Sequence, residues 1–97
     1  MTVNVRAKLA EKGLQLPVSS KPLAAYVPAV RTGNIVFTAG QLPMVDGKIA
    51  REGKVGADVT PEEAKALAEI CALHALAAVE LVAPLDSVVK VVRVVCY

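Results

Sequence analysis

Thr60-Pro61-Glu62-Glu63 opens a long stretch of helical periodicity that Pro84 closes, and this segment constrains the fold more than any other feature of the chain. The Thr60 hydroxyl can cap a helix, Pro61 suits the first helical position because no N–H is needed there, and Glu63 completes a capping box. The pattern predicts a helix running to about Val82, since Pro84 cannot continue it. Leu67, Ile70, Cys71, His74, Ala77, Ala78 and Leu81 fall on one face, whereas Glu62, Lys65 and Glu69 fall off it. That face should pack on a sheet, which the small alanines can approach closely. A neutral histidine on it needs a hydrogen-bond partner. With no second histidine and no ligand spacing, His74 reads as a satisfied core residue, and no metal site is expected.

The sheet comes from two turn signals. From Tyr26 to Leu42 the pattern is strand, turn, strand, with Gly33-Asn34 as a two-residue loop. Setting Thr32 opposite Ile35 places Tyr26 against Gln41 and Val27 against Gly40, so a notch should form where the tyrosine meets a residue without a side chain. Pro28 has no N–H to donate, which puts the first strand at an edge or lets it pair on one side only. Asp46-Gly47 marks a second, smaller hairpin, and Arg51 to Asp58 a glycine-containing loop. Before these elements, Val5 to Lys12 read as a short helix ended by Gly13, and Pro17 to Ala25 as a connector. After the long helix, Val88 to Cys96 is rich in valine and is expected to be a strand with both faces covered. The chain ends on this strand at Tyr97, which suggests a truncated domain.

Ninety-seven residues suffice for one domain. Residues 1–25 are read as amino-terminal helix and connector, and residues 26–97 as an incomplete core. A hydrophobic fraction of 55% is more than so small a domain can hide, so part of it should meet another chain. The net charge is +2 with the basic residues scattered, and the aromatic residues are Tyr26, Phe37 and Tyr97 alone. Neither a basic stripe nor a stacking platform results, so no nucleic acid is expected as a partner. Cys71 and Cys96 read as buried free thiols of a reducing compartment. No stretch has the form of a signal peptide or a membrane span, so a cytoplasmic location and no membrane partner are expected.

The series Ala25-Tyr26-Val27-Pro28-Ala29-Val30, Gly33-Asn34, Phe37-Thr38-Ala39-Gly40-Gln41-Leu42-Pro43, then a capped helix and Val88-Val89-Lys90-Val91, resembles the RidA (YjgF, endoribonuclease L-PSP) family from about Tyr26 to Tyr97. The resemblance implies an α+β, chorismate-mutase-like fold, with helices on one face of a mixed sheet and the other face inside a homotrimer. It implies hydrolytic deamination of reactive enamine or imine intermediates, with an imino or keto acid held in a cleft between subunits and no cofactor. Tyr26 matches the cleft tyrosine and Gly40 the glycine whose backbone borders the ligand, while the family's arginine anchor and its glutamate would lie beyond Tyr97. Ala39 stands where many relatives have serine, which supports a rival reading as a non-catalytic ligand-binding or regulatory trimer; an endoribonuclease is the more distant alternative. Arg31 and Arg93 are the cations at hand, and the family pattern places neither as anchor. Asp58, Glu62 and Glu63 are accounted for by loop and helix cap.

Overall fold

The computed structural model describes residues 4–18 and 26–97. The elements are α1 (Val5–Glu11), β1 (Ala29–Thr32), β2 (Ile35–Thr38), β3 (Met44–Val45), β4 (Lys48–Ile49) and α2 (Pro61–Glu80), followed by a 3-10 turn at Leu85–Ser87. The class is α+β, as expected. Residues 19–25 of the connector lie outside the described residues.

Local chemistry sets the element ends. Thr60 Oγ1 accepts from the Glu63 N–H at 3.1 Å and the Glu63 carboxylate accepts from the Thr60 N–H at 3.5 Å, with Pro61 leading α2. Gly13, at φ 73°, ends α1 with its N–H on the Ala10 carbonyl, while the Leu14 N–H reaches back to Leu9. This is the bond pair of a Schellman motif, which requires a left-handed residue at that position. β1 and β2 pair antiparallel with Thr32 opposite Ile35, and the positive φ of Gly33 turns the chain between them. Asp46 and Gly47, both at positive φ, join β3 to β4.

β2 lies on α2, and the core between the elements is small. Ala29, Val59, His74, Ala77, Ala78, Ala83 and Leu85 are buried, while Leu67, Ile70 and Cys71 are partly covered and Glu62, Lys65 and Glu69 are exposed. Leu81 departs from the expected stripe: as the C-cap of α2 it keeps right-handed helical backbone, yet it is 59% exposed. The loop between β4 and α2 is fastened to the helix start: Arg51 pairs with Glu63 and donates to the Asp58 carbonyl at 2.6 Å. Gly53 sits at φ 143°, where an added Cβ would come within 2.5 Å of the Asp58 Cβ.

Three expectations are corrected. Val88 to Cys96 forms no strand; the segment leaves the 3-10 turn in extended backbone and stays exposed, with Val89 at 99% and Val92 at 79%. High β propensity needs a neighbour to pair with, and among the described residues none lies alongside. For the same reason no mixed sheet forms among the described residues, whose sheets are two separate antiparallel pairs. Both thiols are free, but Cys96 is exposed and Cys71 only partly covered, because the strand that would bury Cys96 does not form.

The capping box gives the fold a direct test. Thr60→Ala should lower the unfolding free energy by about 1 kcal/mol in urea titration with the slope unchanged. Gly53→Ala should cost more than that, since it meets both a clash and an unfavourable φ. Equal, negligible effects would contradict this account of the loop and helix start.

Candidate functional site

Tyr26 and Gly40 stand at the open end of the first hairpin, opposite its turn. The strand ladder ends at Ala29 and Thr38, and one further bond, from the Ala39 N–H to the Pro28 carbonyl at 2.8 Å, extends it. The expected pairing of Tyr26 with Gln41 and Val27 with Gly40 therefore does not form. The cause is Pro28: in an antiparallel ladder the pair of Pro28 and Ala39 would exchange two bonds, and proline can only accept. The Ala39 carbonyl loses its strand partner.

Gln41 makes good that loss. Its Nε2 donates to the Ala39 carbonyl at 3.0 Å, closing a small ring of backbone and side chain around Gly40. On the other side the Met44 N–H donates to Leu42 at 2.8 Å and the Ala50 N–H to Pro43 at 2.9 Å. His74 Nε2 lies 2.9 Å from the Met44 carbonyl; a carbonyl only accepts, so this nitrogen carries the proton. His74 is thus the satisfied core histidine expected from the sequence, and it anchors the segment that follows the glycine to α2.

The result is a short backbone run, Ala39 to Pro43, fixed at both ends with Gly40 in the open. Apart from Gly40 itself and its two chain neighbours, no atom of the described residues lies within 4 Å of the point where a Gly40 side chain would begin. Tyr26 is 46% exposed, so this residue stands at the surface. A phenol and an uncovered backbone stretch at one hairpin end can hydrogen-bond and border a small planar molecule; they supply no charge.

The cations do not complete this site. Arg31 Nε donates to the Gly33 carbonyl at 3.1 Å, which ties the guanidinium to the turn. From its strand partner Val36, Gly40 is four residues on, about 13 Å along the strand. Arg93 lies in the exposed tail. Asp58 accepts from the Lys54 N–H at 3.1 Å and Glu63 serves the cap and Arg51, while Glu62 sits exposed in the first turn of α2. Sequence reasoning missed Gln41 and Arg51. The signal for Gln41 was the proline across the hairpin, whose missing donor leaves a carbonyl to be satisfied nearby.

Cys71, on the partly covered face of α2, has its thiol pushed above the usual cysteine range, chiefly by burial and further by the charge of Cys96, against a smaller opposing backbone hydrogen bond. It is poorly suited to act as a nucleophile near neutral pH.

A family model described as "YjgF/chorismate mutase-like, putative endoribonuclease" matches residues 6–95. Protein TCP17 of Trypanosoma cruzi is 34% identical over 90 residues, which is 92% of this chain and 56% of that protein. The crystal structure of Agrobacterium tumefaciens protein Atu1372, of unknown function, is similar at a TM-score of 0.69 and 40% identity, over 84% of this chain and 48% of the other. A Shewanella oneidensis protein whose structure carries the endoribonuclease label is similar at a TM-score of 0.72 and 33% identity, over 77% and 50% respectively. The chain therefore spans about half the length of these relatives.

Two measurements probe this geometry. Gly40→Ala should change stability by no more than about 0.5 kcal/mol, because the side chain enters open space, whereas Gln41→Ala should cost about 1 kcal/mol by orphaning the Ala39 carbonyl. Urea titrations that rank the two the other way would contradict the ring around Gly40. Alkylation should modify Cys96 first, with the rate–pH curve of Cys71 displaced to higher pH than that of a free cysteine; equal rates near pH 8 would contradict the placement of Cys71.

Proposed function

Since the chain belongs to the YjgF/chorismate mutase-like family, we propose that its Tyr26 and Gly40 border the ligand cleft of a hydrolytic deaminase acting on reactive imines derived from amino acids. The observation that carries this reading is the fixed, uncovered Gly40 backbone at the same hairpin end as the accessible Tyr26. Imine hydrolysis asks little covalent chemistry of a protein. Water adds to the electron-poor C=N carbon, the tetrahedral adduct expels ammonia, and a 2-oxo acid remains. Positioning of the substrate and stabilisation of charge supply most of the acceleration. In this reading Gly40 lets the substrate approach the backbone, Tyr26 forms a wall and offers a hydroxyl, and the carboxylate anchor and water-positioning glutamate come from residues outside this chain.

The cleft lies between subunits of a homotrimer in this proposal. Supporting it are Val30, Ile35 and Phe37 on the hairpin, each at least half exposed, and the apolar tail from Val88 to Val95. Such surfaces favour contact with another chain. No helix among the described residues is long and apolar enough to cross a membrane, and we propose a cytoplasmic location.

One observation favours a second reading, a non-catalytic ligand-binding or regulatory trimer. Ala39 offers no hydroxyl and its carbonyl is already taken by Gln41, so this position brings no polar group of its own to the cleft. The endoribonuclease label of the family has less support: Arg6, Arg31 and Arg51 are engaged within the chain, and the basic residues are scattered along a sequence of net charge +2.

The experiment compares this chain with one extended by a relative's carboxy-terminal half, using a freshly generated 2-imino acid and light scattering. The 97-residue chain should hydrolyse the imine at least about a thousandfold more slowly, since a charged anchor to a buried carboxylate is worth several kcal/mol, and should associate through its tail. The extended chain should form a trimer in which Tyr26→Phe lowers turnover. Full activity in a monodisperse 97-residue chain would move the anchor to Arg31 or Arg93, and an inactive trimer that binds 2-oxo acids would establish the second reading.

A further inference from the structure

We propose that residues 4–14 form a detachable strap, latched to the carboxy-terminal end of α2 by Asp86 and Glu80, which undocks as a unit while the hairpins and α2 stay folded. α1 has only seven residues, well below the roughly 12 to 15 an isolated helix needs to persist in water. None of its residues is fully buried, and only Val5 and Leu9 are even partly covered. Its existence therefore depends on what holds its ends.

Among the described residues those holds are polar and few. At the amino-terminal end the Asn4 side chain accepts from the Ala7 N–H at 3.0 Å, a local cap. The Val5 N–H is taken by Asp86 Oδ1 at 2.8 Å, from the 3-10 turn that follows α2. A carboxylate at this position meets the positive end of the helix dipole as well as a free N–H. Beside it Arg6 pairs with Glu80, the last residue of α2. At the other end the Gly13 and Leu14 N–H groups close the helix on its own carbonyls, and among the described residues neither bonds to the backbone of the core.

Apolar packing adds little. Between Leu16, Pro17 and Val18 on one side and Ala77, Glu80 and Leu81 on the other, a cleft of about 310 Å³ remains open. Val18 is 92% exposed and Leu81 59% exposed, so neither wall is sealed. By contrast α2 carries buried His74, Ala77 and Ala78 and is tied to β3 through His74. Segments held by a few exposed polar bonds open with far less free energy than the cooperative core. The two anions of the latch thus set whether the strap is docked, and its release uncovers the last turn of α2 at Ala77, Glu80 and Leu81.

The test is amide hydrogen exchange on the whole 97-residue chain, in the wild type, Asp86→Ala and Arg6→Ala. In the wild type the amides of Lys8 to Leu14 should be protected but exchange faster than those of α2. Asp86→Ala should speed them roughly tenfold or more, as expected for loss of a charge-assisted bond, and leave the amides around His74 unchanged. Arg6→Ala should act in the same direction with a smaller effect, and added salt should speed α1 alone in the wild type. Asp86→Asn, which keeps the side-chain carbonyl, should fall between the wild type and the alanine variant. Exchange that rises in α1 and α2 together, that stays unchanged in both alanine variants, or that shows α1 unprotected from the start would overturn the proposal.

Discussion

The hydrogen bond from His74 Nε2 to the Met44 carbonyl joins the two halves of this structure. α2 is the longest element, and its buried face is made of His74, Ala77 and Ala78, small enough at the alanines for the β elements to come close. The histidine reaches across that contact to a backbone carbonyl of β3. Its partner lies four residues after Gly40, so the bond that fixes the helix against the second hairpin also fixes the exit of the candidate site. Without it, a buried imidazole and a strand carbonyl would both be left without partners, a penalty of about 1 to 3 kcal/mol for each.

How far the fold was legible depended on whether the chemistry was local. The capping box at Thr60, the left-handed Gly13, the hairpin register through Thr32 and Ile35, and the Asp46-Gly47 turn each follow from side chains acting on their own backbone. All four stand where the sequence places them. Val88 to Cys96 is the counter-case: its valines express a preference for pairing, and among the described residues no strand lies alongside to satisfy it. Leu81 also departs from its expected face, being exposed although its backbone is still helical. For the site, the sequence located Tyr26 and Gly40 at one end of a hairpin, but only the structure showed that Pro28 stops the ladder and that Gln41 takes over the Ala39 carbonyl.

The balance of surface and core ties these points to function. The chain exposes 7638 Å², where a compact monomer of its mass would expose about 5300 Å². Large apolar side chains on the first hairpin and the tail are among those exposed, in the same chain that matches a family over residues 6–95 while spanning about half of its relatives. Surfaces of this kind favour association, and a cleft built where such surfaces meet would draw its wall from one chain and its charge from another. Tyr26 and Gly40 suit the wall: one is accessible, the other leaves room, and neither carries charge.

The measurement that bears most directly on this account is a two-dimensional amide NMR titration of the chain with a stable 2-oxo acid, the product class of the proposed reaction. The account predicts saturable shifts centred on Gly40, Gln41 and Tyr26, with the amides around Gly33 and Arg31 unmoved, and loss of the response in Gly40→Ala, whose added methyl occupies the space left for the ligand. Shifts centred on Arg31 or Arg93, or no shifts at millimolar ligand, would contradict the claim that this hairpin end forms the ligand wall.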